Sequence, residues 1–373
     1  VFMRALLSLI ALVIAATNVV AADAPLTVES PYLDISLPAG FKIEVLASGL
    51  SNARAIALSE DNTLFVGTRR KGNVYAVADV FSDSPTVYTI ADQRKVPSGV
   101  ALHDGDLYVG ELTQVVRYRD IENHLDNPGE PEIVVAGLPS KKLHSWKHIR
   151  FGPDNKLYVP LGAPCNVCDQ PDFGTLTRYD ADGSNPEVVA RGIRNSVGMA
   201  WHPQTGELWF TDNGADRMGD DLPADELNRL AKEGDHFGFP FCHAGDFVEP
   251  DPELAALGSC DDAVGPVRKL GAHVAALGLV FYTGSMFPAE YQNQIFVAEH
   301  GSWDRSEKSG YRISLLRLNG NEVVSYEPFA EGWLNGETVN GRPVDLLVAP
   351  DGALLVSDDS QGLVYRISYS VDD

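Results

Sequence analysis

A histidine, an arginine–asparagine pair, a second histidine and a second arginine each stand just ahead of an apolar segment in this chain. His144 lies in Leu143-His144-Ser145-Trp146-Lys147-His148, and Arg194 and Asn195 lie in Gly192-Ile193-Arg194-Asn195-Ser196-Val197-Gly198. His273 comes shortly before Leu279-Val280-Phe281-Tyr282, and Arg342 sits in Asn340-Gly341-Arg342-Pro343-Val344-Asp345. Imidazole is suited to proton transfer near neutral pH, while guanidinium and carboxamide groups beside it can hold negative charge as it develops. Singly, each of these residues reads as an ordinary polar rim residue of a loop. Together they would make a base with anion-holding partners, so the chemistry depends on a fold that converges them.

The hydrophobic pattern supplies such a fold. Short β-rich runs are separated by turns rich in Asp, Asn, Gly and Pro, and no long stretch has a helical period. One unit returns six times: an apolar strand, a turn, and a second strand that opens on Leu or Ile. The second strands begin at Leu64, Leu107, Leu157, Leu208, Ile295 and Leu354. Their intervals are roughly 40 to 60 residues, the size of a propeller blade, except for one that is much longer. The pattern predicts an all-β, six-bladed β-propeller of four-stranded antiparallel sheets, with a loop insertion over residues 216–270 filling the long interval. The segment Phe41 to Ala47 is expected to complete the last blade. His144, Arg194, His273 and Arg342 then fall at the same phase of four blades, at one mouth of the central channel.

Residues 1–22 have the charge, apolar run and small-residue end of a cleavable signal peptide, with Met3, Arg4, the run Ala5 to Ala16, and Ala21-Ala22. The expectation is a leader followed by a single domain over residues 23–373, periplasmic or secreted, with no membrane span in the mature chain. The formal net charge of −23, with no basic stripe to offset it, argues against nucleic acid as a partner.

The chain has 4 cysteines. They fall into the local pairs Cys165 with Cys168 and Cys242 with Cys260, and export favours disulfides for both. A c-type haem would need His after Cys168, where Asp169 stands. A zinc site would need convergent thiolates, and a thioredoxin-like motif a βαβ setting.

The run from His144 to Gly162 with its Phe151-Gly152-Pro153-Asp154 turn, the pair Arg194-Asn195, and the segment from Arg342 to Gly352 resemble the soluble pyrroloquinoline quinone (PQQ) dependent aldose dehydrogenases. Gly162-Ala163-Pro164-Cys165-Asn166-Val167-Cys168 and Gly301-Ser302-Trp303-Asp304-Arg305 are most similar to the L-sorbosone dehydrogenase subgroup. The resemblance spans essentially the whole chain after the leader. It implies oxidation of a sugar or aldehyde by hydride transfer to PQQ, with His144 as general base and Arg194 stabilising charge on the quinone oxygen. Asn195 and Arg342 would hold PQQ, and Ca2+ would rest on backbone carbonyls of Gly214 and Ala215.

Three positions depart from the glucose-oxidising members. His273 replaces a hydroxyl residue, Val344 replaces a second arginine, and near Gly301 there is no counterpart of the cofactor-binding lysine. His273 is retained as a cofactor contact and Arg305 is the expected compensating cation, ahead of His300 and Lys308. Arg69, Arg70, Trp146 and Trp303 are candidates on the substrate side. Electrons would leave to a separate acceptor, a cytochrome or a quinone. A calcium-dependent lactonase-type propeller, with Glu111, Asn195 and Asp212 as its metal cage, and a non-catalytic binding propeller are the alternatives.

Overall fold

The computed structural model describes residues 34–139, 141 and 143–370, so the expected leader lies outside the described residues. Six antiparallel sheets stand around one axis. Blade 1 is built from Ala53–Leu58, Leu64–Thr68, Val74–Ala78 and Thr86–Ala91, counted outward from the axis. Blades 2 to 5 repeat this order, with innermost strands Gly99–His103, Arg150–Phe151, Gly198–Trp201 and Ala276–Phe281. Blade 6 takes Pro343–Val348, Leu354–Asp358 and Leu363–Tyr369 from the end of the chain and Phe41–Ala47 from its start. The register Phe41↔Tyr369 to Ala47↔Val364 closes the ring as the pattern predicts.

Alternation along the second strands explains the packing. Leu64 and Val66 face blade 6 while Phe65 faces blade 2; Leu354 and Val356 face blade 5 while Leu355 faces blade 1. A strand that is buried on both faces carries consecutive apolar residues, which is why these strands read as Leu-Phe-Val or Leu-Leu-Val rather than as a half-polar alternation. Six clusters result, one between each pair of neighbouring blades. Near the axis the inner strands approach too closely for side chains: a Cβ on Gly198 would lie 2.0 Å from the Leu277 carbonyl oxygen. Val197, Leu277 and Val344 meet there, with Trp146 packed on them.

The insertion is narrower than expected. Ala224–Leu230 and Arg268–Ala272 are the third and fourth strands of blade 4, so the excursion lies between them. Within it, Asp235–His236 adds a parallel fifth strand to blade 3. Both expected cysteine pairs are disulfides, with Cα–Cα distances of 6.1 Å for Cys165–Cys168 and 5.3 Å for Cys242–Cys260. Among the described residues no helix is long and apolar enough to cross a membrane.

Candidate functional site

Loops at one end of the ring enclose a cleft of 570 Å³. His144, Arg194, Asn195, Gly214, His273 and Arg342 all line it, although they come from four blades. Each of the charged or titratable members sits on the segment leading into an innermost strand, which is the phase relation seen in the sequence. Arg69, Arg70, Trp146 and Trp303 line it too. Ala215 is buried, at 1% exposure, and does not line the cleft.

His144 is held in a strained backbone conformation, with φ of 48°. Its Nδ1 donates to the Ala163 carbonyl at 2.7 Å, which leaves Nε2 as the lone-pair nitrogen. Burial, then the nearby Arg194 charge, lower its pKa to about 3, so the ring is neutral at any physiological pH. Gly162 makes this placement possible, because a Cβ there would lie 2.7 Å from both Cβ and the carbonyl oxygen of His144. His273 lines the cleft ahead of blade 5 with φ of 62°, and its Nε2 donates to the Gly219 carbonyl at 2.7 Å.

Arg194 is 4% exposed and almost fully partnered. Its Nε donates to the Asn166 carbonyl at 2.9 Å, one terminal nitrogen to the Asn213 carbonyl at 3.0 Å, and the other to Asn166 Oδ1 at 2.8 Å and Asp216 Oδ2 at 2.9 Å. Four of the five donors of a guanidinium are thereby committed. Asp212 accepts from the backbone N–H groups of Arg194 at 2.7 Å and Asn195 at 2.5 Å, fixing the segment that carries both. Burial lowers the pKa of Arg194, and Asp216 and Asp212 offset part of that shift. Behind Gly214, Asp225 accepts from its N–H at 2.7 Å, and burial raises this carboxyl to about 6.

The cleft wall at the junction of blades 6 and 1 has a different character. Arg54, Arg69 and Arg342 stand there with the neutral His300, whose pKa burial lowers to about 4. Asp359, behind the wall, accepts from Arg54 at 3.1 Å and from His300 at 2.9 Å, and lies 3.8 Å from Arg69. Burial alone would raise the Asp359 carboxyl. The His300 hydrogen bond and the two guanidinium groups instead pull it far below its ordinary value. Arg69 and Arg54 lie over the Trp146 ring, 4.7 Å and 5.4 Å from its centroid.

Arg305 is not brought to this cleft. One of its terminal nitrogens donates to the Asp220 carbonyl and the other lies 3.3 Å from Asp221, so its charge is taken up by an adjoining loop. Nor do Glu111 and Asp212 line the cleft: Glu111 is engaged by Arg94 and Gln114, and the metal cage considered for a lactonase is not assembled. Asp225 and Asp359 were missed in the sequence, as were two further participants. Arg54 is the second residue of the first blade's innermost strand, Ala53–Leu58, inside the strand and not ahead of it, so the phase rule passes over it. Asp216 completes the shell of Arg194, and its carboxylate oxygen lies within 4.8 Å of a ring nitrogen of His273 and of a carboxylate oxygen of Asp304.

Fold and cleft together define a six-bladed propeller with a basic axial pocket and a neutral histidine at its rim. Residues 35–370 match the TrAA12-like family, and the chain belongs to it. An uncharacterized protein of Borreliella burgdorferi is 32% identical over 356 residues, covering 90% of this chain and 91% of the relative. A pyrroloquinoline quinone-dependent sugar dehydrogenase of Hypocrea jecorina is 23% identical over 410 residues, covering 91% of this chain and 92% of that one. Among solved structures, a Trichoderma reesei carbohydrate-active enzyme of family AA12, described as its calcium structure, superposes with a TM-score of 0.78 at 20% identity. It covers 92% of this chain and 99% of its own. At that identity the likeness shows the fold.

Proposed function

We propose that the protein is a PQQ- and Ca2+-dependent dehydrogenase of an aldose or sugar aldehyde, sorbosone-like in type, acting in the periplasm or outside the cell. The observation that carries this reading is His144: a neutral imidazole, held through Nδ1 by the Ala163 carbonyl, at the rim of a cleft lined by five arginines. The residues present fit the cofactor. The buried Nε–H donors of Arg69 and Arg342 have no hydrogen-bond partner, and a polycarboxylate offers the acceptors they lack. Residues with oxygen donors suited to a hard cation line the cleft at Gly214 and Asp216, with Ala215 next to them in the chain and buried. Asn195, His273 and Arg342 would hold PQQ, and the carbonyls of Gly214 and Ala215 with Asp216 would hold Ca2+.

When bound, PQQ supplies a two-electron acceptor for hydride and Ca2+ the positive charge that makes it more electrophilic. The protein's own part is proton transfer and positioning. The proton of the substrate's anomeric or gem-diol hydroxyl passes to Nε2 of His144, so the C–O–H group becomes a carbonyl as hydride leaves its carbon. Ala163 keeps the accepting nitrogen in the right tautomer. Arg194, with one donor uncommitted, favours negative charge growing beside it, and its carboxylate partners keep it from moving. Electrons then pass to a separate cytochrome or quinone.

The test is dye reduction by the purified chain incubated with PQQ and Ca2+, across aldoses and sorbosone, with lactones assayed in parallel. Substrate-dependent reduction requiring PQQ is expected. Lactone hydrolysis without PQQ would overturn the reading.

A further inference from the structure

A second cavity, of 430 Å³, adjoins the cleft. Three links place the two side by side. Asp216 lines the cleft and the next residue, Arg217, lines the outer cavity; Gly219 of the outer cavity accepts from His273 of the cleft at 2.7 Å; and Trp303 lines both. The outer cavity is made by two loops, residues 216–220 and 302–306, that are stitched together. The Arg217 N–H donates to Asp304 at 2.6 Å, the Ser306 N–H to Asp220 at 3.0 Å, and the Arg305 guanidinium to the Asp220 carbonyl.

Trp303 is the most exposed large apolar side chain among the described residues, at 66%. Its backbone is nevertheless held on both sides. The Ser302 N–H donates to the Ser309 carbonyl at 2.9 Å and the Ser302 carbonyl accepts from the Tyr311 hydroxyl, while Asp304 is tied to Arg217. An indole presented to solvent from a fixed backbone, where two cavities meet, is placed to cover a ligand that extends from one into the other.

The groups around it select the ligand. The charged residues lining the outer cavity are Arg217, Asp220, Asp304 and Arg305, two of each sign, so neither an anion nor a cation is favoured by net charge. The Nε–H of Arg305 is buried without a partner. An aromatic face bordered by carboxylates that accept and guanidinium groups that donate suits an uncharged sugar ring. Its C–H face meets the negative face of the indole, and its hydroxyl groups meet the charged rim.

We infer that Trp303 and the loops 216–220 and 302–306 form an outer subsite for a second sugar ring, so that the aldose entering the cleft is the reducing end of a disaccharide or longer chain. The inner ring's oxidation rests on the proposed function; binding of the outer ring does not.

The test compares glucose with cellobiose, maltose and lactose as substrates of the full chain loaded with PQQ and Ca2+, in the wild type, Trp303→Ala and Trp303→Phe. For the disaccharide with the highest kcat/KM, Trp303→Ala should raise KM about tenfold more than it does for glucose. Trp303→Phe, which keeps an aromatic face, should recover most of that loss. An equal change for glucose and the disaccharide, or none for either, overturns the inference, as does a wild type that oxidises glucose and none of the disaccharides. Methyl β-cellobioside, whose anomeric hydroxyl is blocked, reads the subsite apart from turnover by calorimetric titration. If the wild type reduces dye with none of these sugars, the proposed function fails. Methyl β-cellobioside binding that weakens about tenfold in Trp303→Ala then still supports the subsite, and binding that is absent or indifferent to Trp303 overturns it.

Discussion

Arg194 and Arg69 line the same cleft, yet one has nearly every donor satisfied by the protein and the other is stacked in place with a donor left over. On the blade 4 wall, Asn166, Asn213 and Asp216 immobilise a guanidinium beside a neutral histidine. On the wall between blades 6 and 1, aromatic rings lie against the guanidinium groups; Arg54 donates to Asp359 and Arg342 to Gly301, Ser302 and Tyr311, while the Nε–H groups of Arg69 and Arg342 are left without a partner. A cation that must stabilise charge during a reaction gains from being held by fixed dipoles, whereas a cation that must capture an anion gains from being unmatched. The contrast therefore separates turnover from binding, and each wall can be perturbed alone.

The largest effect is expected from His144→Asn, which removes the base without adding bulk. Turnover should fall by about 10²- to 10⁴-fold with PQQ affinity retained, measured by steady-state dye reduction and equilibrium dialysis. A parallel loss of affinity would mean that the two walls are not separate. Next comes Gly162→Ala, whose added carbon must displace His144. Turnover should drop about tenfold, and the melting temperature should fall with a cost of about 1–3 kcal/mol.

Salt addresses the other wall. Raising ionic strength to about 1 M should weaken PQQ binding several-fold and leave turnover at saturation unchanged, because screening acts on the charge excess and not on the partnered Arg194. A smaller effect is expected from the double change Cys165→Ser and Cys168→Ser. Freeing the short loop around Asn166 loosens the shell of Arg194, so turnover should fall two- to threefold, about 0.5 kcal/mol, with little change in affinity.

The last expectation is an absence of change. His144 has its pKa lowered to about 3, below the usual 6.5, so lowering the pH does not protonate it until that folded value is approached. His144 therefore contributes no break to the dependence of kcat/KM on pH between roughly pH 5 and 8. A break near 6 that is lost in Asp225→Asn would report the Asp225 carboxyl, which burial raises to about 6, whereas a break that survives would identify a histidine other than His144 as the base.

Much of this was readable in the chain. The second strands announce themselves because burial on both faces requires consecutive apolar residues, and the closing strand Phe41–Ala47 follows from needing a partner for Leu363–Tyr369. The positions of His144, Arg194, His273 and Arg342 follow from blade phase. Arg54 escaped because its strand is already under way when it appears, and only the register shift between Ala53 and Ile56 turns it inward. The strand Ala224–Leu230 escaped because it reads Ala-Asp-Glu-Leu-Asn-Arg-Leu: Asp225, Glu226 and Asn228 are buried there, and an alternation rule has no place for buried polar residues. Arg305 was misplaced because its partners, Asp220 and Asp221, lie on a loop from a different blade. No local pattern announces such a contact.

The ring is closed by the pairing of Phe41–Ala47 with Leu363–Tyr369, so blade 6 contains the one sheet whose strands join the two ends of the folded chain. Arg54, just beyond the first of these strands, and Asp359 and Arg342, in the last blade, meet across that seam. An anion held among them would act as a clasp as well as a ligand. It would make opening of the seam costlier in proportion to its concentration over its dissociation constant, and lengthen the life of the loaded protein against heat and proteases relative to the empty one.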